Sequence, residues 1–336
     1  MVCKKNSCKA GDIMKIFDIV LLLGLPASGK SEIRRLMASM SDQELEKDFH
    51  IGKTIDMDDF PYVFIMRKID ESLEKINQPR LFYFSDEKPF IDPRDWLTLV
   101  HLLNEDYRDL KQKNMFKDEL PSHFVMKRID MAAQKVGIQP RFQKLRKDIL
   151  NQISKSIEKD AKGLLEEKYK SYPETFEGKT IMIEFARGGS DGSKMPLDFP
   201  FGYAHSLAQL DDDILRKAVI FYNWVTPAES RRKNSERANP DDPGSILHHG
   251  VPIEVMLKEY GTDDIFWLEK TSEKSNTVTV IKDSKKFLIP LGVFDNGSDR
   301  TTFLRSDSDL WDKNKVEEIK QALKSTFDLL FQIQKG

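Results

Sequence analysis

Between Asp18 and Ser31 the chain reads DIVLLLGLPASGKS, a short apolar run that breaks at Gly24 and ends on Gly-Lys-Ser. Few stretches this short restrict a fold as much. The pattern G-x-x-x-x-G-K-S needs a strand before it and a helix after it, because its chemistry depends on the turn between them. Glycines reach backbone angles closed to other residues, so successive N–H groups can converge on phosphate oxygens. A helix starting near Gly29 adds the positive end of its dipole. In that arrangement Gly24, Ala27, Ser28, Gly29, Lys30 and Ser31 cradle a nucleotide, Lys30 reaches its outer phosphates and the Ser31 hydroxyl is a ligand for Mg2+. The flanks meet the requirement. Lys15–Leu23 has the continuous Ile, Val and Leu character of a buried parallel strand. Ser31–Ser39 places Ile33, Leu36 and Met37 at helical spacing.

The same alternation returns further along. Lys53–Met57 reads as a second strand that runs into the acidic cluster Asp56, Asp58 and Asp59. Lys179–Phe185 (KTIMIEF, containing Glu184), Lys217–Val225 and Phe287–Phe294 read as further strands, and Val316–Ile333 as a closing helix. Strands alternating with helices predict an α/β fold built on a three-layer parallel sheet. Residues 61–178 differ in character. Segments 62–77, 95–113, 122–136 and 141–170 carry apolar residues three and four apart among Lys and Glu, which predicts a large, mainly helical insertion. Within it, RLFYFSDEKPFIDPRDW is expected to pack as an irregular segment. The core is then expected in 14–60 and 179–336, with a lid at about 227–250 whose tip is the turn-rich Asn239–Gly244. Residues 1–13 read as a disordered leader, with the true start at either Met1 or Met14.

Composition narrows the classes of partner. The 336 residues carry a formal charge of −2, which gives no global pull toward nucleic acid or an anionic membrane, although 141–147 (RFQKLRK) is locally basic. The two cysteines, Cys3 and Cys8, cannot build a disulfide framework, and a reduced, cytoplasmic setting is expected. The apolar run Ile19–Leu23 is far too short to cross a bilayer. His248 and His249 are adjacent, so their side chains diverge, and no third metal ligand lies nearby in sequence.

Four stretches resemble the nucleoside and nucleotide kinase-like branch of the P-loop NTPases, which includes adenylate, shikimate, gluconate and uridine kinase-like enzymes. They are GLPASGKS, IDMDDFPY, IMIEFARGG and AVIFYNWVTPAESRRKNSER. Together they cover about half the chain and leave the helical insertion unmatched. IMIEFARGG departs from the adenylate kinase pattern, since its acid is Glu and its spacing to Arg187 is one shorter. The resemblance implies an enzyme that transfers a phosphoryl group from ATP, with Mg2+, to a small-molecule acceptor. It also implies that IDMDDFPY holds the acceptor hydroxyl and that Arg231, Arg232 and Arg237 close over the phosphates.

The residues support those roles on their own chemistry. Phosphoryl transfer needs charge neutralisation and an acceptor held in line. Asp58 is placed to take the acceptor proton, with Asp59 beside it for substrate. Asp56 alternates onto the same side of the strand as Asp58, where it can contact metal-bound water, and Glu184 ends its own strand in a similar position. Gly188 and Gly189 beside Arg187 allow close approach to a phosphate or acceptor. Each reading has a plain competitor. The Asp cluster could be a helix N-cap, RRKNSER an exposed polar helix, and the aromatics Phe82, Tyr83, Phe84, Phe90 and Trp96 the core of the insertion instead of a stacking surface. Two alternative functions remain beside the small-molecule kinase: a nucleotide-dependent ATPase or switch whose helical region binds a partner, and a polynucleotide end kinase.

Overall fold

The computed structural model describes residues 16–116, 120–237 and 250–336. At its centre lie six strands: β1 (Ile19–Leu23), β2 (Lys53–Asp58), β3 (Lys179–Phe185), β4 (Ala218–Trp224), β5 (Thr277–Lys282) and β6 (Lys285–Asp295). Their order across the sheet is β2-β3-β1-β4-β6-β5. The first five in that order run parallel, and β5 alone pairs antiparallel, with β6. The α/β fold expected from the sequence is present, its sheet mixed but mostly parallel, with β5 as the antiparallel member. The cause is a two-residue hairpin turn at Asp283 and Ser284, both at positive φ (47° and 62°), which suits the twist of the strands it joins. The polar run KDSKK around that turn masks the alternation in Thr277–Lys282.

Twelve helices surround the sheet among the described residues. They are α1 (Lys30–Ala38), α2 (Asp42–Phe49), α3 (Phe60–Lys75), α4 (Asp95–Gln112), α5 (Pro121–Lys135) and α6 (Lys147–Lys170), then α7 (Gly202–Leu207), α8 (Asp212–Lys217), α9 (Pro227–Arg237), α10 (Ile253–Glu259), α11 (Ile265–Thr271) and α12 (Lys313–Lys335). Side chains alternate across each strand and divide the helices between two layers. Val20 and Leu22 face one way, with Met182 and Phe221, against Leu36 of α1, Phe49 of α2 and Phe327 of α12. Ile19, Leu21 and Leu23 face the other way, against α4, α7, α8 and α11.

The helical region α3–α6 has a third core, in which Ile65 and Ile69 meet Leu99, Leu102, Ile129 and Ile153. Helix α4 belongs to both this core and the sheet. From Asp95 to Leu103 every residue but His101 is buried, so the first half of the helix is enclosed nearly all round. Val100, Leu103 and Tyr107 pack on the sheet, whereas Trp96, Leu99 and Leu102 pack into the helical core. The irregular segment 79–94 is tied down by Asp70 of α3. Its carboxylate accepts the N–H groups of Leu81, Phe82 and Tyr83 at 2.6–3.2 Å, which fixes where Tyr83 sits.

Some expectations fall outside the described residues: the 1–13 leader with Cys3 and Cys8, the turn Asn239–Gly244, and His248 and His249. Among the described residues, no helix is long and apolar enough to cross a membrane.

Because one helix serves two cores, damage on either face should weaken a single cooperative unit. Leu102→Ala and Leu103→Ala are each expected to cost about 2–5 kcal/mol, with urea transitions that coincide by circular dichroism and by tryptophan fluorescence. Separate transitions for the two variants would show two independently folding units instead.

Candidate active site

The loop after β1 is shaped by three positive φ angles, at Gly24 (148°), Ala27 (54°) and Gly29 (108°). At the first and last of these, space as well as torsion demands glycine. A Cβ on Gly24 would lie 2.4 Å from the Asn223 carbonyl oxygen, and one on Gly29 would lie 2.4 Å from Thr301 Oγ1. Three side chains from other elements brace the loop. Asn296 Nδ2 donates to the Ser28 carbonyl at 2.6 Å, Ser230 Oγ donates to the Pro26 carbonyl at 2.6 Å, and Tyr203 Oη accepts the Gly24 N–H at 2.9 Å. Helix α1 begins directly after Gly29 with no side-chain cap, so the positive end of its dipole opens at Lys30 and Ser31. Lys30 folds back along the loop and donates to the carbonyls of Gly24 (3.0 Å) and Leu25 (3.1 Å). Burial lowers its pKa from the usual lysine range, against the pull of Glu184.

Beside this loop the adjacent ends of β2 and β3 bring Asp58 and Glu184 into register. Asp59 follows at the start of α3 and is buried. Three carboxylates share this corner, and three cations are divided unevenly among them. Lys30 approaches Glu184 at 3.9 Å. Arg34, one turn along α1, reaches Glu184 at 3.0 Å, Asp56 at 2.9 Å and Asp58 at 4.0 Å. Arg187 is buried and holds Asp59 at 2.8 Å, with its other arm on the Trp96 carbonyl at 3.0 Å. The compensation is incomplete for Asp58. Burial first, and then Glu184 and Asp59, push its carboxyl up to about 8. Asp59 is raised as well, by burial that Arg187 only partly offsets.

These groups open on one cleft of about 840 Å3, its mouth included. Pro26, Ala27, Lys30, Ser31 and Arg237 form one end, and Asp58, Asp59 and Glu184 the middle. From Asp59, Arg187 reaches on to the Trp96 carbonyl and Trp96 meets Tyr260, so the wall beyond the acids is mainly apolar and aromatic, with Phe60, Val63, Tyr83 and Val255 beside the charged Arg67 and Glu259.

The candidate residues thus separate into groups. Ala27, Lys30, Ser31, Asp58, Asp59, Glu184 and Arg237 line the cleft. Gly24, Ser28 and Gly29 shape the loop behind it. Asp56 is paired with Arg34 at the rim, its side chain 43% exposed. Arg187 stands behind the wall as the partner of Asp59. Arg232 is bound by Glu229, Glu236 and Asp299 at 2.5–2.9 Å, and Arg231 does not line the cleft. Arg237 is half-buried, and its Nε has no partner among the described residues. Of the aromatics, Tyr83 and Trp96 reach the cleft, Phe82 and Phe90 are core, and Phe84 is exposed. Sequence reasoning missed Arg34, Arg67, Glu259 and Tyr260. Arg34 could have been found, since the turn after the loop faces the strand-end acids; Glu259 and Tyr260 carry no local signal. No protein-family model matches the chain, and a search of curated proteins finds no similar one.

Crowding of acids leaves a measurable mark. Folded Asp58 holds its proton up to about pH 8, against 3.8 for an ordinary carboxyl, so folding takes up a proton within that window and stability falls as pH rises through it. Asp58→Asn removes the charge. Its melting temperature is expected to exceed the parent's by an amount that grows from pH 5 to pH 9, at about 2–4 °C per kcal/mol of relieved repulsion. A constant or negative difference across that range would contradict the electrostatic account.

Proposed function

We propose that the chain is a P-loop phosphotransferase that moves the terminal phosphoryl group of Mg-ATP to a hydroxyl of a small-molecule acceptor. The observation that carries this reading is the cleft's order: loop lysine and helix start at one end, strand-end carboxylates in the middle, an apolar pocket beyond them. A donor and an acceptor can meet across such a sequence of groups, with the acids where the hydroxyl would lie. Strand ends of α/β sheets are also where such sites form.

In this reading the first turn of α1 and Lys30 bind the outer phosphates, and Arg237 adds a second positive charge at the same end. The acceptor hydroxyl donates to Asp58. As its oxygen bonds to the phosphorus and the bond to the leaving ADP breaks, the proton passes to the Asp58 carboxylate. Asp59 is held rigid by Arg187 and orients the acceptor. Among the described residues no cluster of acids could hold a metal ion by itself, so a divalent cation would rest on the phosphates together with single side chains of the cleft. Ser31 and Glu184 would hold Mg2+, which when bound offsets charge on the phosphates. Hydrolysis by water alone would leave the aromatic end without a use. For a polynucleotide end, the walls lack a basic track: Asp58, Asp59, Glu184 and Glu259 stand against Lys30, Arg67 and Arg237.

The test is a product assay with purified protein, Mg-ATP and a metabolite library. A phosphorylated product should appear with ADP, and Lys30→Ala and Asp58→Asn should each lower its rate by about 100-fold or more. ATP turnover indifferent to every acceptor and to Asp58→Asn would reject the transferase reading.

The acid limb follows from the same carboxyl. Asp58 must be ionised to accept a proton, so kcat/KM for Mg-ATP should fall as pH drops below about 8. A profile flat from pH 6 to pH 9 would exclude Asp58 as the base.

A further inference from the structure

Arg34 takes no part in the proposed transfer, yet it reaches more acids of the corner than Lys30 or Arg187 does. It lies one turn after Lys30 on α1, its side chain 25% exposed, and it does not line the cleft. The two ends of its fork are divided. Nη2 meets Asp56 at 2.9 Å, and Nη1 meets Glu184 Oε2 at 3.0 Å, with Asp58 4.0 Å away. The other oxygen of Glu184, Oε1, stands 3.9 Å from Lys30 Nζ. Two cations therefore share one carboxylate, and one of them is the loop lysine. Arg35, next in the chain, is an ordinary surface residue by comparison, 3.9 Å from the exposed Asp307.

Arg34 does not suit a phosphate ligand, because both ends of its fork are taken and its side chain is not among those facing the cleft. Nor is it a dispensable surface pair. The bond to the half-exposed Asp56 fits that description, since exposed ion pairs contribute little. The bond to Glu184 does not, because that side chain is only 11% exposed, and a largely buried carboxylate stripped of one partner takes what remains. What remains is Lys30, which is buried and otherwise bonds to the Gly24 and Leu25 carbonyls of its own loop.

Resting on the reading of the loop as a nucleotide's phosphate site, we propose that Arg34 is the standing counter-ion of the acid corner. It holds Glu184 and Asp56 from behind the cleft, so that Lys30 is free to move to an incoming polyphosphate and the polyphosphate meets less repulsion. Arg34 is then a positioning residue, which acts through Glu184 and Lys30 and touches no ligand. Coulomb energy is proportional to the charge of the ligand, which gives this role a signature. Without Arg34 the corner carries one more net negative charge. A metal-free nucleoside triphosphate has roughly twice the charge of its magnesium complex, so its affinity should fall by roughly twice as many powers of ten. Loss of a merely structural contact would weaken both forms alike.

Calorimetry on the full chain tests this with a nonhydrolysable ATP analogue, once in EDTA and once with saturating Mg2+, at low and at high salt. Arg34→Gln should weaken binding of the magnesium complex by about tenfold and of the metal-free analogue by about 100-fold, and both losses should shrink as salt rises. Arg34→Lys, which keeps the charge but not the fork, should recover most of the loss. Adding Asp56→Asn to Arg34→Gln removes one of the acids left unpaired and should recover part of it. Equal losses for the two forms of the analogue, or unchanged affinity in Arg34→Gln, would overturn the proposal. So would a lysine variant no better than the glutamine one. The two readings fail separately. A parent chain that binds neither form would reject the phosphate site, and this role of Arg34 with it. Losses graded by ligand charge, in a chain that transfers phosphoryl to no acceptor, would keep the role of Arg34 and reject the transferase alone.

Discussion

Three carboxylates at neighbouring strand ends, Asp58, Asp59 and Glu184, set the terms for everything around them. Buried like charges repel, and each must find a cation or keep its proton. The fold answers with three different devices. Arg187 is spent on Asp59 and is itself buried for that purpose. Arg34 spans Asp56 and Glu184 from the exposed side of α1. Lys30 stands off from Glu184 at 3.9 Å while bonding to its own loop. Asp58 receives the least of this compensation, so burial, with Glu184 and Asp59 beside it, raises its carboxyl above the usual carboxylate range.

Rigidity around that corner has a separate origin. The loop is fixed by side chains of Tyr203, Ser230 and Asn296, drawn from three widely spaced parts of the chain. Helix α4 ties the helical region to the sheet, because its two faces belong to two cores at once. The first turn of the same helix holds Trp96, whose carbonyl accepts from Arg187 and whose ring walls the cleft. Packing and site geometry are therefore one problem at this point: a shift of α4 would move the aromatic wall and the Asp59 clamp together.

How much of this could be read from the chain depends on how local each signal is. Strand β1, the glycine loop and the start of α1 are contiguous, and their pattern names its own context, so that part of the fold was legible. So were Asp58 and Glu184, since an acid ending an apolar strand at the loop side of an α/β sheet has few other reasons to be there. Arg187 shows the limit. Beside two glycines it reads as a ligand contact, yet Gly188 is close-packed against the Thr262 carbonyl at 2.4 Å from a built Cβ, and the arginine turns inward to Asp59. The hairpin of β5 and β6 was hidden by its charged turn. Glu259 and Tyr260 lie some 200 residues from Asp58 in the chain and meet it only through the fold. No periodicity or spacing could have joined them.

The aromatic wall of the cleft and the arginine near its glycine loop are linked along the chain. Arg237 ends α9, and Val255, Glu259 and Tyr260 belong to or follow α10, the next helix. Asn234 of α9 bonds both ways to the Val251 backbone, at 2.7 and 2.8 Å, which fixes the spacing between those two helices. Any displacement of α10 would therefore be felt at α9 through a pair of hydrogen bonds. A coupling of this kind requires that acceptor and donor favour the same relative placement of α9 and α10. Reciprocity then follows: whatever the acceptor does for the affinity of the donor end, the donor must do equally for the aromatic pocket.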